Sequence, residues 1–128
     1  MARYKIRFFF DWQCTPFWSG NDEARERFDY PIQPEKLPLS QENIKKTYEL
    51  SNWHDEALNW EYPPDPGPWR QDECNRFNAA ANQLFESVHA ELGEEFELVN
   101  EQRELNEDPD LDEYLKNPKE FRRPSKGH

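Results

Sequence analysis

Glycine is scarce, with 4 in 128 residues. With it goes the usual material of a phosphate-cradling loop, whose backbone amides need glycine to approach their ligand. Cysteine is scarcer still. Cys14 and Cys74 stand far apart with no Cys or His near either at metal-ligand spacing, which removes the case for a disulfide framework and argues for a reducing compartment. No apolar run approaches transmembrane length, and the opening residues Arg3, Lys5 and Arg7 put charge where a signal peptide carries its apolar core. The expected location is cytoplasmic, with no membrane partner.

Positive charge is also in short supply: 16 Lys and Arg against 27 Asp and Glu leave a formal net charge of -11. Phosphate binding runs on cations that displace condensed counterions, so nucleic acid is not expected as a direct ligand. A basic protein is the natural complement, because opposite net charges speed encounter and select partners. The same abundance of carboxylates empties any argument from close acidic pairs for acid and base catalysis. The run His54-Asp55-Glu56 places an imidazole beside two carboxylates, but consecutive helical side chains point roughly 100° apart and cannot converge on one ion. His54 is therefore expected on an exposed helix surface. No catalytic residue, no metal ligand and no cofactor is assigned, and the chain is read as non-enzymatic.

What is present is a set of large aromatics, 5 Trp, 5 Tyr and 9 Phe, which a disordered chain would lack. Tyr4, Ile6, Phe8, Phe10 and Trp12 alternate with Arg3, Lys5, Arg7, Phe9 and Asp11, predicting a strand over residues 3–12. Because Phe9 breaks the polar face, this strand is expected inside its sheet. Residues 13–38 carry five of the prolines or glycines and read as a long excursion with one helical turn, pinned by Phe17, Trp18, Phe28 and Tyr30. Ser40 is a good N-cap for a helix over 41–60, with Leu39 and Ile44 as its hydrophobic staple. Ile44, Tyr48, Ser51, Asp55 and Leu58 share one stripe and Trp53, Ala57 and Trp60 a neighbouring one, an apolar surface that is broad but polar in places. The four prolines between Tyr62 and Trp69 cannot be helical and make a stiff connector.

A second helix over 70–92 buries Cys74, Phe77, Ala81, Leu84, Phe85, Val88 and Leu92 on one face, with Gly93 as its C-terminal cap. Phe96 and Leu98 then alternate with Glu95 and Glu97 in a strand over 95–100 that can lie beside the first. The fold class is α+β: a small sheet containing both strands, packed against the two long helices. Residues 1–105 form the domain and residues 106–128 a charged, partly mobile tail.

Charge is uneven along this end. Residues 94–114 hold ten carboxylates against Arg103 alone, the mark of a solvated or interacting segment. The candidate partner-binding residues are Glu94, Glu95, Glu97, Glu101 and Glu104, with Trp18, Trp53 and Trp60 as aromatic anchors for Arg and Lys of a basic partner.

The run Leu58-Asn59-Trp60-Glu61-Tyr62-Pro63-Pro64-Asp65-Pro66-Gly67-Pro68-Trp69, followed by Arg76-Phe77-Asn78, resembles a set of small uncharacterised bacterial proteins over residues 37–102 and brings no known activity with it. In size, acidity and cysteine poverty the chain also resembles the immunity proteins of contact-dependent growth inhibition and other polymorphic toxin systems. This second resemblance is one of character and carries no residue over. It implies a protein that binds and neutralises a cognate basic toxin. The alternatives are a general acidic interaction or nucleic-acid-mimic protein and, third, a small hydrolase.

Overall fold

The structure, a computed structural model, describes residues 2–122. Strand β1 (Tyr4–Phe8) is followed by β2 (Phe17–Ser19), the seven-residue helix α1 (Asp22–Phe28), a 3-10 turn at Pro34–Lys36, and helices α2 (Gln41–Asp55) and α3 (Gln71–Glu91). Strand β3 (Phe96–Asn100) and the short helix α4 (Leu111–Lys116) complete the described chain. The sheet order is β2-β1-β3, so β1 is the central strand as its double-sided pattern implied. It pairs antiparallel with β2, Phe8 opposite Phe17, and parallel with β3, Tyr4 opposite Phe96. A parallel neighbour needs a long crossover, and here everything between the two strands supplies it.

Alternation sorts the sheet into two faces. Tyr4, Ile6 and Phe8 of β1, Phe17 of β2 and Leu98 of β3 enter the core with Phe77, Ala81, Leu84 and Val88 of α3. The opposite face carries Lys5, Arg7, Phe9, Trp18, Glu97 and Val99. There Phe9 stacks on Trp18 at 4.9 Å between ring centres, Arg7 lies 5.1 Å over the Phe9 ring, and Tyr30 covers Trp18 from beyond.

Several details depart from the sequence reading. The expected excursion contains β2 and two turns of α1, whose N-cap Asn21 accepts from the backbone N–H of Ala24. Helix α2 stops at Asp55, short of residue 60. The indole N–H of Trp60 donates to the Asp55 carbonyl, and Glu56 and Ala57 close tightened turns on Trp53 and His54, so the last carbonyls are satisfied without further helix. The buried stripe of α2 is Thr47, Leu50, Ser51 and His54, which shares only Ser51 with the first predicted stripe, while Trp53 and Ala57 of the second pack partly buried against the core; Tyr48 is exposed with its hydroxyl on Glu35. The α3 helix ends through Leu92 in extended conformation, its N–H on the Val88 carbonyl, so Gly93 is not the cap.

The connector is held by two small residues. Asn59 donates to the Pro66 carbonyl and the Tyr114 hydroxyl and accepts from the N–H groups of Glu61 and Tyr62, which uses its whole amide. A Cβ on Gly67 would stand 2.0 Å from the Ala57 carbonyl oxygen, so the chain passes this point only as glycine. After β3, residues 101–107 run back along α3: Asn78 exchanges two hydrogen bonds with the backbone of Leu105, and Glu107 accepts from the N–H of Gln71 while Gln71 accepts from its own. A carboxylate at that position also complements the positive end of the helix.

The two glycines give a paired test by thermal unfolding. Gly67→Ala is expected to cost about 1–3 kcal/mol, because rigid backbone must move. Gly93→Ala, with open space around it, is expected to be neutral or stabilising by up to about 1 kcal/mol.

Candidate partner-binding surface

The acidic block divides on inspection. Glu94, Glu95, Glu97 and Glu104 are exposed and make no ion pair among the described residues. Glu95 is held by its backbone, whose carbonyl accepts from Arg3 and Tyr4. Glu101 differs: it accepts from Nε and Nη2 of Arg7 at 3.0 and 2.7 Å, and the guanidinium holds its carboxyl below the ordinary value. Further along, Arg70 lies 2.8 Å from Asp112 and 3.5 Å from Glu107, and Lys116 pairs with Glu113. Glu94, Glu95, Glu97 and Glu104 lie on and to either side of β3, an edge strand fixed along its length to β1.

The tryptophans fare differently from one another. Trp18 is 7% exposed, flat against Phe9 with its indole N–H on the Phe9 carbonyl. Trp53 is half-buried between Trp69 and Phe77 and donates to Glu73. Trp60 is 50% exposed beside Asp55. Neither Trp53 nor Trp60 has a hydrogen bond or ring contact to β3 among the described residues. Trp18 and Trp53 serve the scaffold.

Sequence reasoning passed over His54 and Trp12. His54 is 4% exposed, a correction to its expected place on the helix surface. Its ring is stacked by Trp12 at 4.3 Å and Phe10 at 5.6 Å and faces Phe77 at 5.5 Å, and its Nδ1 has no hydrogen-bond partner. The signal was there in the spacing 47, 50, 54, which puts one buried residue on each turn, but its polar members disguised it. Burial pushes the imidazole below its ordinary pKa, against a smaller upward pull from Asp55 and Asp11. Trp12 is 37% exposed and forms one wall of a cleft of about 340 Å³ floored by Ala57, Gly67, Trp69 and Cys74. A second cleft of about 310 Å³ opens between Arg7, Phe10, His54 and residues 101–105.

Cys14 and Cys74 are free thiols. Among the described residues no group of three or more His, Cys, Asp or Glu side chains is placed to hold a metal ion, and no helix is long and apolar enough to cross a membrane.

Fold and surface together define a small acidic α+β protein that presents carboxylates on and beside an edge strand and exposed aromatics in the segment after α2. The chain belongs to the Serratia CdiI immunity protein-like family, whose sequence model matches residues 4–102, from the first residue of β1 to just past β3. A comparison with curated proteins finds none that matches the chain. The immunity character anticipated from composition is thereby shown at the level of the family.

His54 makes stability depend on pH. Its folded pKa lies below the unfolded value near 6.5, so below that pH the unfolded chain binds a proton that the folded chain refuses. Stability is expected to be complete above pH 6.5 and to fall as the pH drops toward 5, above the range where Glu91 and Glu101, both lowered from 4.5, contribute. Urea unfolding at pH 7 and pH 5 measures the loss, and His54→Leu, which removes the titrating ring, is expected to flatten it.

Proposed function

We propose that the protein neutralises a cognate toxin by binding it, with a basic surface of the toxin docked on the acidic side of the sheet around Glu94, Glu95, Glu97 and Glu104. The observation that carries this reading is that these four carboxylates make no ion pair among the described residues, whereas Glu101, Glu107, Asp112 and Glu113 of the same stretch each do. Uncompensated charge on a rigid strand costs little to keep in water and raises the encounter rate with a cationic surface. Glu101 takes part through Arg7, which it holds, and not as a free charge. Trp60, half-exposed beside Asp55, supplies an aromatic anchor in the segment after α2. The family membership supports the immunity role, and a cytosolic setting agrees with the two unpaired thiols.

The test is coexpression with candidate toxin domains, followed by binding kinetics with the one that it neutralises. Cells are expected to survive with the protein and die without it. Association is expected to slow about tenfold or more between low and high salt. Reversing Glu94, Glu97 and Glu104 to Lys should slow it by a similar factor while leaving the melting temperature within a few degrees. Association unchanged by both treatments would remove the acidic strand from the interface.

A further inference from the structure

The cleft beside Trp12 joins three kinds of surface that a single long cationic side chain needs. Its floor is apolar and rigid: Trp69 is packed against Trp53 and Phe77, and Gly67 is pressed on the Ala57 carbonyl. One wall is an indole with one face stacked on His54 and over a third of its surface exposed. The third part of the lining is Leu105, Glu107 and Asp108, on the segment zipped to α3 through Asn78 and Gln71. A volume of about 340 Å³ lies at the low end for small-ligand sites and suits one extended side chain.

Charge around the cleft is negative on both sides. Burial raises the Cys74 thiol at the floor, with Glu107 and Glu73 adding to the rise, and burial raises Cys14 beyond Trp12, with Asp11 and Asp55 adding to it. The acidic wall already takes a guanidinium, since Arg70 spans Asp112 and Glu107 from outside the cleft. Glu107 keeps acceptor capacity, because a carboxylate has about four lone-pair positions. Among the described residues its oxygens take the Gln71 N–H and the 3.5 Å approach of Arg70.

We propose that this cleft is the receptor for an arginine side chain on the toxin's surface, its guanidinium lying over the Trp12 indole and against Glu107 and Asp108, its methylene stem along Trp69 and Leu105. Arginine fits better than lysine because its plane stacks on an indole and its fork meets carboxylates in two bonds. The proposal rests on the toxin-binding reading for the donor of that side chain. It takes its aromatic contacts from within the stretch that the family model matches and its acidic ones from residues 107–108 beyond it.

The probe is Nα-acetyl-arginine amide, titrated into the full chain while the indole N–H resonances of Trp12 and Trp69 are followed by NMR. Saturable shifts of both with a dissociation constant of roughly millimolar order are expected for so small a ligand. The uncharged citrulline analogue should leave them in place, and Trp12→Ala should abolish the response at Trp69. Resonances that stay put throughout the arginine titration, or that move equally with citrulline, overturn the proposal on the unmodified protein, whatever the stability of the variant. Unmoved resonances in a protein that still protects cells against the toxin would sink the cleft alone. Shifted resonances in a protein that fails to protect would sink the toxin reading and leave the arginine site standing.

Discussion

The ring of Phe77 is the meeting point of the molecule. It is fully buried on α3, and four other rings lie 5.2 to 5.5 Å from it: Phe10 from the end of β1, Trp53 and His54 from α2, and Trp69 from the connector. Aromatic pairs of this kind contribute about 0.5–1.5 kcal/mol each beyond the area they bury. More important than the sum is the convergence, because segments far apart in the chain are located by contact with one side chain. Trp12 is placed through His54, the connector through Trp69, and the path of residues 101–107 through the neighbouring turns of α3. The clefts on this side of the protein are gaps between parts that Phe77 positions.

Much of this could be read from residue patterns. The period of two in β1 and the apolar face of α3 are unambiguous because each is long and each alternates against charge. Strand β2 left no such mark: it is three residues, begins just after Pro16, and is buried on both faces because Trp18 covers itself with Phe9 and Tyr30. The α2 helix misled for a different reason. Its inward positions are Thr47, Ser51 and His54 around a single Leu50, and Thr47 returns its hydroxyl to the Asn43 carbonyl, so a polar face is the buried one. The acidic strand was visible in the charge count, whereas Trp12 was hidden at the end of a strand pattern, where it counted as one more core ring.

Carboxylates in this protein do two jobs that composition cannot separate. Some answer backbone N–H groups: Glu91 takes the amide of Ser40 and the side chain of Asn43, Asp55 takes the amide of Gln13 at a left-handed turn, and Glu107 takes that of Gln71 at the start of α3. At Ser40 the carboxylate adds to a short polar cap already in place, whereas at Gln71 it stands in for a side-chain cap that Arg70 does not provide. Others, along β3, answer nothing within the described chain. Only position distinguishes the first kind, which shapes the fold, from the second, which shapes the field around it.

The parallel pairing of Tyr4 with Phe96 has a consequence for biosynthesis. The central strand is made before both long helices and its neighbour after them, so the pairing of β1 with β3 has to wait for both helices to be synthesised. High contact order of this sort slows folding. Each new copy therefore spends an interval as an unfinished chain, with the future edge of β1 unpaired, before it can protect anything.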